Sequence, residues 1–290
     1  MADSLRADWD FDDLDETERR FRERLATAKN DTARAEVLTQ LARVHGLLGD
    51  FDEGERMIER AEALAGDGAR ARVRIDLERG RLRRSSGDEQ AALPLFESAF
   101  GTAKGAGESF LAVDAAHMAA LAAPDRAGFV SWTERGIELA ESDHSARYWL
   151  GPLLNNLGWE LYEAGDYQGA LGPFERSLRA READPENRAA IEIARYALGK
   201  TLRALQRPAE AAALLEQAVV WADGEGAPDG WFHEELAEDY AALGRTADAT
   251  EHARRALALL PAADPSFEAD AERTSRLHRL AETSEADAPR

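Results

Sequence analysis

Apolar residues recur along this chain three and four positions apart, and no segment alternates apolar with polar as a half-buried strand does. Leu154, Leu157 and Leu161 fall on one helical face, as do Ala170, Phe174 and Ser177 shortly after. Short clusters of Gly, Pro, Asp and Asn separate such stretches. Gly49-Asp50, Gly87-Asp88 and Gly165-Asp166 each follow one apolar-periodic stretch and precede another, and Gly244-Arg245 belongs to the same series. Glycine supplies the left-handed residue that ends a helix, and the aspartate caps the next one. Each pair marks the tight turn of a helical hairpin.

These turns lie 38, 78 and 79 residues apart, and the two longer intervals are each about twice 39. Two further turns are therefore expected near residues 126 and 205. Ala122-Ala123-Pro124-Asp125 and Leu205-Gln206-Arg207-Pro208 stand there, each with a proline that stops one helix and opens another. Loops between hairpins are expected at 65–68, 101–107, 141–145, 184–187, 223–230 and 261–265, none long enough to be a flexible linker. Before the array, Phe21 and Leu25 give Thr17–Lys29 one apolar face; after it, Asp264-Pro265 is expected to open a helix through about Ala281 with Leu277 and Leu280 inward.

With the turns aligned, the hairpins resemble the tetratricopeptide repeat, a helix-turn-helix unit of about 34 residues. The fourth carries Leu154, Leu157-Gly158, Leu161, Gly165, Ala170, Phe174 and Ser177; the fifth Leu198-Gly199, Leu202, Gln206, Ala211, Leu215 and Ala218. The sixth has Leu236-Ala237, Tyr240, Gly244, Ala249, Ala253, Ala256 and Pro261; the first Leu38, Leu41-Ala42, His45, Gly49, Gly54, Ile58 and Ala61. The second keeps Gly80, Gly87, Ala92, Phe96 and Ala99, and the third, with Ala115-Ala116, Gly128 and Trp132, diverges most. The small residues let the helices of a hairpin cross closely, while Phe96, Trp132 and Phe174 are expected to pack in the core. The period exceeds 34, and the excess is expected in the loops between hairpins.

The resemblance implies an all-α fold, a right-handed α-solenoid of about six such hairpins over 32–263. An acidic segment with a capping helix over 1–31 precedes it, and a capping helix with a disordered tail over 264–290 follows. Resemblance to bacterial proteins of this kind implies a fold and no activity. Of the 36 basic residues only Lys29, Lys104 and Lys200 are lysine, the arginine bias of a GC-rich genome.

A net charge of −20 argues against nucleic acid and anionic membranes as partners. The chain has no cysteine, which excludes disulfides and cysteine-based metal or redox sites and fits a cytoplasmic setting. No apolar run approaches twenty residues, and the acidic start does not have the pattern of a secretory signal. No metal cluster or phosphate-binding glycine loop is found, so no cofactor is expected. His233-Glu234-Glu235 opens like a zinc-protease helix, but Ala237 holds the second histidine position.

In arrays of the family the first helix of each hairpin lines a concave groove. Carried over by position, the resemblance places Arg43, Arg74, Arg81, Arg84, Phe110, Val113 and His117 there in the first three repeats. In the last three it places Asn155, Trp159, Tyr162, Tyr196, Lys200, Arg203, Trp231, Glu234 and Glu238. At least six basic residues would face inward, with Asp114, His117, Asn155, Asn156, Trp159 and Tyr196 at the centre. Arginine forks take carboxylates with two parallel hydrogen bonds, so the groove is expected to bind a protein or peptide segment of acidic character. An anionic small molecule at the centre is the alternative. An enzyme built on His117, oriented by Asp114 three residues earlier, is a third reading, but no nucleophile motif accompanies it. A bland account stands beside the groove: Glu78 lies three residues before Arg81, and such pairs on a solvated helix are worth only about 0.2–0.5 kcal/mol. Tyr148 and Trp149 are expected to pack on the third repeat or to rim the groove. Pairing of two copies through an end or the convex face is compatible with the sequence.

Overall fold

The computed structural model describes residues 5–184 and 187–282, and every regular element among them is helical. Alanine, leucine, glutamate and arginine favour helix throughout, and the starts are set by caps. Asp13, Asn30, Asp50, Asp88, Asp125, Asp166, Asn187 and Asp229 each accept a hydrogen bond from a backbone N–H two or three residues on. The helices fall into two compact units, Met1–Leu153 and Leu154–Arg290.

The first unit opens with a 3-10 turn, Arg6–Asp8, and helix α1, Leu14–Thr27. Three hairpins follow: α2 (Asp31–Leu47) with α3 (Phe51–Ala65), α4 (Ala69–Ser85) with α5 (Glu89–Gly105), and α6 (Ser109–Leu121) with α7 (Arg126–Ser142). The first helices are neighbours, α2 against α4 and α4 against α6. A second 3-10 turn, His144–Trp149, packs on α6 and leads into α8 (Leu150–Glu163). Phe21 of α1 is fully buried with Leu38, Leu41 and Ile58; Leu77, Phe96 and Leu111 form the next part of the core. The close crossing expected from small residues is visible at Gly80, where a Cβ would come within 2.5 Å of the Phe96 ring.

In the second unit α9 (Tyr167–Glu182) pairs with α8, α10 (Arg188–Ala204) with α11 (Pro208–Gly224), and α12 (Gly230–Ala242) with α13 (Thr246–Ala263). A 3-10 turn, Phe267–Ala269, and α14 (Ala271–Glu282) complete it, with α14 against α12 and α13. Phe174 lies fully buried against Gly158, and Leu215, Leu260, Phe267 and Leu277 are buried along the same unit.

Both turns inferred from spacing are present, after α6 and after α10. Gly49, Gly87, Gly165 and Gly244 hold φ between 73° and 89°, and Gln206 takes the same left-handed conformation at 61°. At all five turns the following N–H donates to a carbonyl five residues back, as from Asp50 to His45 and Arg207 to Leu202. The turn at Pro124 achieves reversal without this motif; the Ala123 N–H donates to Ala120 and Asp125 caps α7.

Three expectations are corrected. The long period is carried by helices of up to 18 residues, not by loops: α5 continues through Gly101 to Gly105, and α13 through Pro261 to Ala263. The last helix begins at Ala271 because Asp264 accepts from the Ser266 N–H and hydroxyl, turning the chain before Phe267 is buried. Trp132 is only partly buried, edge-on to Phe100 at 5.3 Å. The tail after Glu282 lies outside the described residues, as do residues 1–4 and part of the loop at 184–187.

Candidate functional site

In the first unit, one side of the first helices carries a small cavity of about 80 Å³. Residues one turn apart on each helix share this side: Gln40 and Arg43 on α2, Arg74 and Glu78 on α4, Phe110 and Asp114 on α6, with Tyr148 and Trp149 of the 3-10 turn beside them. Arg6, Trp9 and Phe11 close it from the segment before α1. The Trp9 indole N–H donates to Gln40 Oε1 at 2.9 Å, and its ring stacks on Phe11 at 4.9 Å. Arg43 lies over both rings, 5.0 and 5.4 Å from their centroids, and Arg6 lies 3.4 Å from the Tyr148 centroid.

The arginines of this side differ in their partners. Arg81 donates to Glu78 at 2.5 Å and to Asp114 at 2.5 Å, and all three are largely buried. Burial works against the Arg81 charge, yet the two carboxylates outweigh it and hold the guanidinium above its ordinary pKa. The Arg81–Glu78 pair is therefore a buried element joined to the next repeat. Arg74 reaches Glu36 at 3.3 Å, and Arg84 donates to the Leu121 carbonyl. Arg43 makes neither a hydrogen bond nor an ion pair among the described residues. Burial, reinforced by Arg81, lowers its pKa. Two polar atoms beside the cavity, Glu78 Oε2 and Trp149 Nε1, are buried without a hydrogen-bond partner among the described residues.

Asp114 is held by Arg81, and His117 turns instead to the Trp149 ring, 5.4 Å away. Burial pushes the His117 imidazole down to about 4; Asp114 pulls the other way, and Arg81, Arg84 and Arg43 offset that pull. The histidine is neutral at pH 7 and is not oriented by a carboxylate hydrogen bond, so the geometry lacks the dyad that a general base of this kind uses. Tyr148 and Trp149 both pack on Phe110 of the third hairpin and line the cavity.

In the second unit the corresponding side carries aromatic rings. Trp159 meets Tyr162 and Phe174 edge-on at 5.4 and 5.3 Å and lies 6.4 Å from Tyr196, which in turn lies 5.7 Å from Phe232. Burial pushes the Tyr196 hydroxyl up to about 12. Lys200 and Arg203 both grip buried Glu235, at 2.6 and 2.7 Å. Burial opposes these charges, but the attraction wins: both cations are held above their ordinary values and Glu235 below its own. Asn155 Oδ1 is buried without a hydrogen-bond partner among the described residues; Asn156 lies next to it on α8. Glu234 and Glu238, expected to face a ligand, are covered by α14: Arg273 grips Glu234 with two nitrogens, and Arg276 pairs with Glu238.

Arg43, Arg81, Arg84, Asp114 and His117 thus belong to the first unit, and Asn155, Asn156, Trp159, Tyr196, Lys200 and Arg203 to the second. Most of the expected inward cations are neutralised from within. Sequence reasoning missed Arg6, Trp9, Phe11 and Gln40. The available signal was Trp9 and Phe11 themselves, two large rings in an acidic stretch with no helical face of its own to bury them.

Two models of the tetratricopeptide repeat match the chain, one over residues 153–183 and the other over 35–60, 193–217 and 230–255. The chain carries tetratricopeptide repeats. The repeat matches leave out 61–152, which holds the second and third hairpins, the ones furthest from the repeat pattern. Among solved structures, the apo form of RapI is similar with a TM-score of 0.70 at 11% identity, covering 96% of this chain and 82% of that one. The apo form of the quorum sensor NprR from B. thuringiensis gives 0.54 at 13%, covering 93% and 82%. NprR in complex with its cognate peptide NprX gives 0.51 at 15%, covering 95% and 79%. At such identities the likeness concerns the fold. No curated protein matches the chain.

Proposed function

We propose that this tetratricopeptide-repeat protein is a non-catalytic scaffold that binds an extended protein or peptide segment along the cavity-bearing side of its first helices. The observation that carries the reading is in the first unit, where Arg6–Phe11 of the chain itself already lies across that side as a peptide would. The fold of NprR, solved with its cognate peptide, is compatible with the same use. The acidic character of the partner rests on Arg43 and Arg6, which stack on rings but meet no carboxylate among the described residues. Arg81, Lys200 and Arg203 hold internal carboxylates, so reversing their charge would break buried ion pairs before it tested binding.

The test is capture of partners by the immobilised full chain, identified by mass spectrometry. Tyr148→Ser alters a half-exposed ring on the proposed binding side, and Val220→Ser alters an exposed position on the second helix of the fifth hairpin. The reading requires that Tyr148→Ser weaken capture and that Val220→Ser leave it intact. Equal capture by both variants and the parent would refute it.

A further inference from the structure

We propose that the segment Arg6–Phe11 is an internal occupant of the first unit's binding side, and that the external partner is a segment of like chemistry, an aromatic side chain flanked by carboxylates, which displaces it. This rests on the scaffold reading above and names both the partner chemistry and its regulation.

The segment reads Arg6-Ala7-Asp8-Trp9-Asp10-Phe11, rings alternating with acids. Its hold on the first helices consists of side-chain contacts: one hydrogen bond from Trp9 to Gln40, Arg43 over the Trp9 and Phe11 rings, and Arg6 over Tyr148. Its backbone makes no hydrogen bond to α2, α4 or α6 among the described residues; the bonds from Asp8 and Trp9 close its own 3-10 turn, and Asp10 bonds to Thr17. Phe11 is 58% exposed. Release breaks these contacts together with the Asp8–Arg24 ion pair, the Asp10–Thr17 hydrogen bonds and the packing of Trp9 on Phe21, but no helix–helix contact among α2–α7, so the segment can open without global unfolding.

The segment also leaves its site incompletely satisfied. Asp8 is engaged by Arg24 and Asp10 accepts from the Asp12 N–H, so the segment brings Arg43 ring faces and no carboxylate; Glu78 and Asp114 act on Arg43 without forming an ion pair. Glu78 Oε2 and Trp149 Nε1, on residues that line the same cavity, have no hydrogen-bond partner among the described residues. A partner that presents a ring with a carboxylate placed toward Arg43 keeps the stacking and adds a charge-assisted hydrogen bond, the stronger of the two. That difference is what lets an external segment win against one tethered nearby at high effective concentration.

The probe is a fluorescent synthetic peptide with the sequence of residues 5–13, titrated by polarisation against the full chain. Trp9→Ala frees the site most directly. Because Trp9 also packs edge-on to Phe21 at 5.4 Å, Phe11→Ala serves as the second variant, its exposure keeping it clear of the core. If the segment covers the site nine-tenths of the time, its release tightens peptide binding about tenfold. Expected are weak binding to the parent, tighter binding to Phe11→Ala and Trp9→Ala, and loss of binding when Arg43→Gln is added. Equal affinity for parent and both folded variants would overturn the proposal, as would Arg43→Gln without effect, or parent dimers that form through exchange of the segment between copies. The scaffold reading is judged separately, by partner capture: a partner captured on this side with no gain from Phe11→Ala sinks the displacement alone.

Discussion

Lys200 Nζ sits 2.6 Å from Glu235 Oε1, on the first helix of the next repeat, and Arg203 shares the same carboxylate. The carboxylate is buried while the cations are partly exposed. Glu235→Gln keeps the shape and removes the charge. It should cost about 2–3 kcal/mol, because two partly buried cations lose the carboxylate that both of them hold. Lys200→Gln should cost clearly less, since Arg203 still neutralises Glu235. Urea unfolding of the single and double variants gives the coupling; purely additive costs would show that the pair contributes nothing.

Gly80 and Phe96 make the hairpin crossing of the second repeat. Gly80→Ala places a methyl where the ring now lies, 2.5 Å from its nearest carbon, and should destabilise by roughly 1–3 kcal/mol through overpacking. Phe96→Leu in the same chain should recover part of that loss. A Gly80→Ala variant as stable as the parent, or one made worse by Phe96→Leu by the full single-variant amount, would contradict the steric account.

Asp239 is fully buried, and neither of its carboxyl oxygens has a hydrogen-bond partner among the described residues. Burial raises its pKa to about 8, with Arg203 pulling the other way and Glu235 and Glu238 adding to the rise. The folded chain keeps a proton that the unfolded chain releases near pH 4, so this contribution is whole below about pH 4 and is lost as pH rises toward 8. Relative to Asp239→Asn, the parent should lose stability across that window, with a slope of at most about 1.4 kcal/mol per pH unit. Urea midpoints of the two chains at pH 5 and pH 8 measure it. A constant difference between them would mean that Asp239 does not titrate there.

The sequence showed the repeat more fully than the site. Gln206 illustrates the first: its residue type gives no hint of a left-handed turn, but the interval between Gly165 and Gly244 required one there. Gly101 and Gly105 misled, because glycine is a weak breaker where the surrounding helix is already committed, and α5 runs through both. Arg81 was visible as a neighbour of Glu78, one turn away. Its bond to Asp114 spans 33 residues and becomes visible only once the first helices of adjacent repeats are placed side by side. The same holds for Trp9 and Gln40, 31 residues apart. Charge counts along a face therefore overstated what remains for a ligand.

Those long-range pairs have one further consequence. Arg74 with Glu36, Arg81 with Asp114, Lys200 with Glu235, and Arg273 with Glu234 each join a residue to its counterpart about one period away, 38, 33, 35 and 39 positions along the chain. Each junction has its own combination of acid and base, so the hairpins are not interchangeable modules. Deleting, duplicating or reordering one would set a buried charge against the wrong neighbour. The array thus carries an address at each of these joints, and its length and order are written into its electrostatics as well as into its hydrophobic core.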